Sequence, residues 1–259
     1  MKAVFIGSGN LATHLATALQ AQGITISQIY SRTSVNASVL AAKLNTTYTN
    51  DPTDLYQEAD IYFYALKDSA LTKFLKEAHL PDAMHVHTAG SVSLSIFKDL
   101  TLNYGVFYPL QTFTKNKEVD FSNIPICIEA SNLRMQEKLL EISNLLTSRT
   151  VVITSDQRKV LHLAAVFACN FSNYMYDIAS EVLSDVGLGF DILQPLIAET
   201  AEKVTRMNPY EAQTGPAVRY DKVTMNKHLV MLKNYPEIKD IYKDLSKGIY
   251  KRHSKNKTK

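Results

Sequence analysis

Lys2-Ala3-Val4-Phe5-Ile6-Gly7-Ser8-Gly9-Asn10-Leu11-Ala12 is the stretch from which the rest of the chain is read. The apolar run ending at Ile6 predicts a short buried strand. Leu11, Leu15, Ala18 and Leu19 then recur at helical spacing until Gly23 stops the helix. Between the two lies Gly7-x-Gly9-x-x-Ala12, a glycine turn with a strand directly before it and a helix directly after. Such a turn suits a pyrophosphate. Gly7 permits the tight bend, Gly9 lets backbone approach the phosphates, and Ala12 lets the helix pack on the strand. The N–H groups around Ser8, Gly9, Asn10 and Leu11 lie at the positive end of the helix dipole. Gly7 to Leu11 are therefore the expected nucleotide cradle, the alternative being an ordinary strand–helix turn.

Further strands are expected at Thr25–Tyr30, 46–48, 61–65, Met84–His87, 105–108, 126–128 and 151–154, with helices at Ser34–Leu44 and 132–146. Strands alternating with helices predict an α/β fold, a doubly wound parallel sheet of the Rossmann type, over residues 1–154. The second strand ends in Ser31-Arg32-Thr33, where NAD-binding proteins usually carry an acid for the ribose hydroxyls. Arg32 can grip a 2′-phosphate with its planar fork, and Ser31 and Thr33 can add hydrogen bonds, so NADP is expected over NAD. Later strand ends are expected on the same cleft. Leu66 and Lys67 end one, Lys67 being either a phosphate contact or a solvated lysine. Thr88 and Gly90 end another, in a small-residue turn that would let the nicotinamide approach. Tyr108-Pro109-Leu110-Gln111 would form the cleft floor.

After Ser155 the strand pattern stops. A long helix capped by Ser155 or Asp156 is expected to run to about Leu183, another from Asp191 to Met207, a Gly/Pro loop at 208–220, a helix at 221–232 and a last one after Pro236. This is an all-helical second domain, 155–246. At 100° per residue, His162, Asn170, Asn173 and Asp177 fall on one arc of the long helix. That arc either lines a ligand cleft between the domains or is satisfied internally. In Gly215-Pro216-Ala217-Val218-Arg219-Tyr220-Asp221, the Asp stands where a helix N-cap is needed.

Composition limits the alternatives. The chain has 259 residues, 46% of them hydrophobic, with two cysteines and no Trp, which excludes a disordered or disulfide-scaffold protein. Cys127 and Cys169 lie in apolar surroundings and read as buried thiols in a reducing, cytoplasmic setting. The formal charge is +3, but residues 247–259 hold six basic residues and no acid, leaving a body of net −3. No nucleic-acid face is indicated, and the basic end reads as a flexible tail. Val160–Tyr176 is short and polar for a membrane span and reads as a buried core helix. The seven histidines lack metal-ligand spacing, and no GxSxG elbow is present.

Taken together, Gly7-Ser8-Gly9-Asn10-Leu11-Ala12, His87-Thr88-Ala89-Gly90-Ser91, Tyr108-Pro109-Leu110-Gln111-Thr112-Phe113, the helix around Leu161–Asn173 and the Gly215–Asp221 run resemble a bacterial family. In that family a Rossmann-like domain is joined to the domain of unknown function 2520. The resemblance spans about residues 2–245. The first domain is also similar to those of pyrroline-5-carboxylate reductase and of 6-phosphogluconate and 3-hydroxyacid dehydrogenases. These relatives imply NADP(H) binding and a homodimer through the helical domain. The dehydrogenases carry a catalytic Lys before an Asn on the long helix. Asn170 matches that Asn, but Val166 and Phe167 precede it and no lysine follows Lys159 on the helix. A proton would then come from His162, Tyr108 or His87, with His162 first because an imidazole titrates near neutrality. The expectation is an NADP(H)-dependent oxidoreductase acting on a small carbonyl or imine compound, with His162 and Asn170 as catalytic groups. The rival is a non-catalytic NADP-binding module that controls dimer or partner contacts. A deazaflavin partner for the same fold stays open.

Overall fold

Residues 1–254 are described in a computed structural model, which divides into two compact units, Met1–Phe167 and a second beginning at Ala168. The first unit holds one sheet of eight strands: β1 (Lys2–Ile6), β2 (Thr25–Tyr30), β3 (Thr47–Thr49), β4 (Ile61–Tyr64), β5 (Met84–His87), β6 (Tyr104–Pro109), β7 (Ile126–Ala130) and β8 (Thr150–Val152). Their order is β3-β2-β1-β4-β5-β6-β7-β8. The helices are α1 (Asn10–Ala21), α2 (Ser34–Leu44), α3 (Asp68–Glu77), α4 (Leu133–Asn144) and α5 (Ser155–Ala165). The doubly wound Rossmann-type sheet is thus present, with one departure from the all-parallel expectation. β6 and β7 pair antiparallel, with Phe107 opposite Ile128. The link between them contains only the 3₁₀ turn Phe121–Asn123, and without a crossover helix the strand returns alongside its neighbour in the opposite sense.

The continuous apolar runs of β1 and β4 have a simple cause, since both faces of the sheet are covered. Side chains alternate with the period of two. Ala3, Phe5, Ile61 and Phe63 enter one core with Leu15, Leu19 and Leu139. Val4, Ile6, Tyr62 and Tyr64 enter the other with Leu71 and Phe97. Phe5 and Phe63 stack with centroids 5.0 Å apart, and removing either ring would cost about 3–5 kcal/mol. Helix α5 opens on a capping box: the Thr154 hydroxyl accepts from the Gln157 N–H, and the Gln157 side chain accepts from the Thr154 N–H. Thr154, rather than Ser155 or Asp156, is therefore the cap.

The second unit contains α6 (Ser172–Ser184), α7 (Gln194–Arg206), α8 (Pro209–Ala212), α9 (Pro216–Arg219), α10 (Lys222–Met231) and α11 (Pro236–Ser254). A π-helical turn, Val166–Phe171, joins α5 to α6. The expected loop at 208–220 folds into the two short helices α8 and α9, each with Pro in its first turn. Asp221 caps α10 as expected, its carboxylate accepting from the Thr224 N–H at 3.0 Å and hydroxyl at 2.8 Å.

Several expectations are corrected. The basic end is helical through Ser254. Glu237 in the first turn and Lys251, Arg252 and His253 in the last complement the dipole of α11, and Tyr220–Tyr250 and Tyr210–His253 stacks anchor it; residues 255–259 of the expected tail lie outside the described residues. Cys127 is buried, but Cys169 is exposed. Val160–Tyr176 is not a core helix: none of its residues is buried, and Phe167 is 62% exposed. A helix apolar on most of its circumference needs cover on several sides, which the described residues do not supply. Among the described residues no helix is long and apolar enough to cross a membrane.

Candidate functional site

Sheet register brings the expected nucleotide residues together. Ile6 pairs with Tyr30 on one side and Tyr64 on the other, and Tyr64 pairs with His87. The carboxyl ends of β2, β1, β4 and β5 are therefore side by side, and strand order reverses between β1 and β4. Ligands of open α/β sheets bind at such a reversal. Gly7 lies there with φ +123°, and a Cβ on it would run into the Ala65 carbonyl, so no other residue fits. Gly9, by contrast, is exposed, and a Cβ there would meet nothing within 4 Å. It is the N-cap of α1 and offers no side chain to the first N–H groups of that helix. Ser8 and Leu11 flank it, half-buried, while the Asn10 amide donates to the Phe113 carbonyl at 2.7 Å and ties the glycine turn to the segment after β6.

At the end of β2, Ser31 is half-buried and Arg32 and Thr33 are exposed. Arg32 and Leu66 share a small cleft with Tyr30, Lys73 and Glu77. Glu77 is bridged to Lys73 at 3.8 Å, and among the described residues Arg32 has no ion-pair partner. Lys73 escaped the sequence reading; its signal was a position one turn beyond the first residues of the helix after β4. Lys67 is the exposed N-cap of α3.

The turn after β5 is built differently from expectation. Thr88 is buried, and both its N–H and its hydroxyl donate to the Tyr64 carbonyl, at 3.1 and 3.2 Å. Gly90 is indeed a place of close approach, but the group that approaches is protein. A Cβ there would lie 2.7 Å from His162 Nδ1 and 3.0 Å from Tyr108 Cζ. The Tyr108 hydroxyl is 3.2 Å from the same Nδ1, with the rings edge to face. Burial raises the Tyr108 pKa, with Cys127 adding to it and Arg158 opposing it, so the phenol keeps its proton. Either atom can be the donor in this contact.

The third candidate proton carrier, His87, is fully buried. Burial first and the Arg158 charge second push its pKa down to about 3, so it is neutral at physiological pH and holds the turn by accepting the Ala89 N–H. His162 and Asn170 fall in different units. Asn170 is exposed on the π-helical turn, as are Asn173 and Asp177 on α6. The α-helical angle that grouped them with His162 does not carry through a turn bonded i to i+5.

Two family models match the chain. One is described as NADP oxidoreductase, coenzyme F420-dependent, and covers residues 2–89; the other is the domain of unknown function DUF2520, over residues 124–249. A solved structure from Bacteroides fragilis, described as a candidate NADP oxidoreductase, is 45% identical, with 96% of this chain and 98% of that one covered and a TM-score of 0.93. The chain belongs to this NADP oxidoreductase family. More distant members of the same fold include an imine reductase of Myxococcus stipitatus solved with NADP⁺ (16% identity, 98% and 93% coverage, TM-score 0.67). Another is a 1-pyrroline-5-carboxylate reductase of Streptococcus pyogenes (13%, 97% and 98%, TM-score 0.63). At those identities the likeness is one of fold. A search of curated proteins finds no match.

Proposed function

We propose that the protein is an NADP(H)-dependent reductase of small imine or carbonyl compounds. The observation that carries the reading is Gly7, held at positive φ against Ala65 at the sheet's order reversal and followed by a helix whose first N–H groups have no side-chain cap. These groups suit a pyrophosphate, which Gly7, Ser8, Gly9, Asn10 and Leu11 would hold. Arg32 would take the 2′-phosphate with Ser31 and Thr33, its fork unengaged by any described acid. Leu66 and Lys67 would border the nucleotide, and Thr88 and Gly90 the ring end of the cleft. The reduced nicotinamide supplies hydride when bound. What the chain itself would add is a proton carried on Nε2 of the protonated His162 ring, whose Nδ1–H the Tyr108 oxygen would accept to orient it. Asn170, exposed on its π-helical turn, would contribute a hydrogen bond to substrate. Imine reductases and reductive aminases among the structural neighbours support the substrate class.

The second unit supports a homodimer. None of the residues of α6, α7 or α10 is buried, and Leu196 and Met231 are 62% and 71% exposed. An apolar surface of that extent marks an association site.

The test is a nicotinamide fluorescence titration with NADPH and NADH, with reduced deazaflavin as a third arm. NADPH should bind at least about tenfold tighter than NADH, and Arg32→Asp should remove that preference. Equal affinities in the native protein would discard the 2′-phosphate role. On 2-methyl-1-pyrroline with NADPH, His162→Phe should lower kcat about 100-fold, and undiminished turnover would discard its proton.

A further inference from the structure

The function proposed above makes no use of Arg158, yet this is the bulkiest fully buried side chain among the described residues. Its guanidinium joins three segments of the first unit. One nitrogen pairs with Glu129 on β7, and another donates to the Val92 carbonyl in the loop after β5 and, at 3.3 Å, to the Ser155 hydroxyl oxygen. Glu129 in turn accepts the Ser155 N–H at 2.7 Å and the Ser155 hydroxyl at 2.8 Å, and that hydroxyl accepts the Leu94 N–H at 2.9 Å. A cation near the start of a helix runs against the helix dipole, which was the one sign in the sequence that Arg158 is engaged elsewhere. A buried ion pair is also a poor device for stability, because apolar residues of the same size usually do as well. What it provides here is registration.

The registration concerns His162. Arg158 and His162 are four residues apart on α5 and so lie on one face, a turn from each other. His162 rests against Gly90, two residues before the carbonyl that Arg158 grips, and against Tyr108. The arginine thus holds both the helix that carries the imidazole and the loop that the imidazole packs on. We propose that Arg158 is a positioning residue, its fork clamping Val92 and Glu129 to α5 so that His162 is set against Gly90 and the Tyr108 hydroxyl. The inference rests on the reading of His162 as proton carrier.

Two variants test it. Arg158→Lys keeps the charge but has one ammonium, which cannot reach Glu129 and Val92 in the fork's geometry. Arg158→Leu combined with Glu129→Gln removes both charges and leaves no buried carboxylate unpaired. Each is read by the nuclear Overhauser contact between the His162 and Tyr108 rings, which needs no substrate, and by kcat and KM on 2-methyl-1-pyrroline with NADPH. Both variants should fold and bind NADPH within about twofold of the native protein, lose most of the ring contact, and drop in kcat by about tenfold or more with KM little changed. The clamp is overturned if Arg158→Lys restores full kcat, if kcat falls while the ring contact persists, or if both variants fail to fold, since the network would then serve the fold alone. His162→Phe separates the two claims: full turnover there removes the proton role, while the ring contact in the Arg158 variants still decides the clamp.

Discussion

The two units treat apolar surface in opposite ways. In the first, β1 and β4 are buried on both faces, and Phe5, Phe63, Tyr62 and Tyr64 have almost no exposure. In the second, the buried described residues are only Ala217 and Ser246, while Leu196, Val223, Val230 and Met231 face outward. The second unit even keeps an apolar groove of about 390 Å³, walled by Met175, Val182, Leu183, Met231, Ile241 and Leu245. Its main polar feature is the His228 Nδ1–Tyr242 hydroxyl contact at 2.8 Å. A self-contained sheet domain can present a binding site on fixed strand ends. A helical unit with uncovered faces suits contact with something else, and this separates the half proposed to hold the nucleotide from the half proposed to associate.

The sharpest way to break that division is at the glycine turn. Gly7→Ala places a methyl against the Ala65 carbonyl in a backbone conformation that alanine resists. It should cost about 3 kcal/mol or more of stability and abolish NADPH binding together. Gly9→Ala meets no protein atom and should leave the melting temperature within a degree or two while weakening NADPH by about tenfold or more. Equal effects of the two substitutions on stability would mean that Gly9 serves the fold and not the nucleotide.

A second strike falls on the half proposed to associate. Leu196→Asp with Met231→Asp puts charge on exposed apolar ground, so the monomer loses nothing it buries. Light scattering should show dimer association weakened by about 100-fold or more, with NADPH affinity unchanged. A native protein that is monomeric at micromolar concentration would end the homodimer proposal.

Acid should act on the first unit before the second. His87 has its pKa pushed down from 6.5 to about 3, so the unfolded chain takes up a proton there that the folded chain refuses. The contribution of neutral His87 is complete above pH 6.5 and is lost as pH falls toward 3, amounting to about 2–3 kcal/mol between pH 7 and 4.5. His85, buried and bonded to Tyr64 and to the Pro81 carbonyl, is shifted in the same direction by burial. Thermal melts of His87→Gln across that range should be visibly flatter than those of the native protein. Identical slopes would show that other groups govern the acid transition.

These regions also differ in how far they could be read from residue order. The sheet was legible because period-two burial and glycine turns are local signals, and the DUF2520 resemblance supported both halves. The direction of β7 was not, because pairing sense depends on the missing crossover helix, which a short apolar run does not announce. Gly7, Arg32 and Leu66 stand just beyond the carboxyl ends of β1, β2 and β4, as strand-end reasoning places them, while their part in a nucleotide site is a proposal. Thr88 turned inward because a buried hydroxyl needs a partner and the Tyr64 carbonyl was nearest. The helical arc from His162 to Asp177 assumed an unbroken α-helix, and the π-helical turn at Val166–Phe171 that interrupts it has no sequence signature. Arg158 was missed for a related reason: its partners Glu129 and Val92 are distant in sequence, and only the fold assembles them.

The smallest expected effect probes whether nucleotide binding is confined to the first unit. Asp221 caps α10, and its hydrogen bonds to Thr224, backbone first, hold its carboxyl below the usual carboxylate range. A lowered folded pKa means the cap helps above about pH 4 and fades as acid protonates it. Asp221→Ala removes the acceptor and should lower the melting temperature by a few degrees at pH 7, with the difference shrinking near pH 3, while Asp221→Asn keeps most of the cap. NADPH affinity should be unchanged in both, because every residue assigned to the nucleotide belongs to the first unit. A loss of more than about twofold in Asp221→Ala, with Asn rescuing it, would instead make the order of α10 part of the nucleotide site and dissolve the division between the two halves.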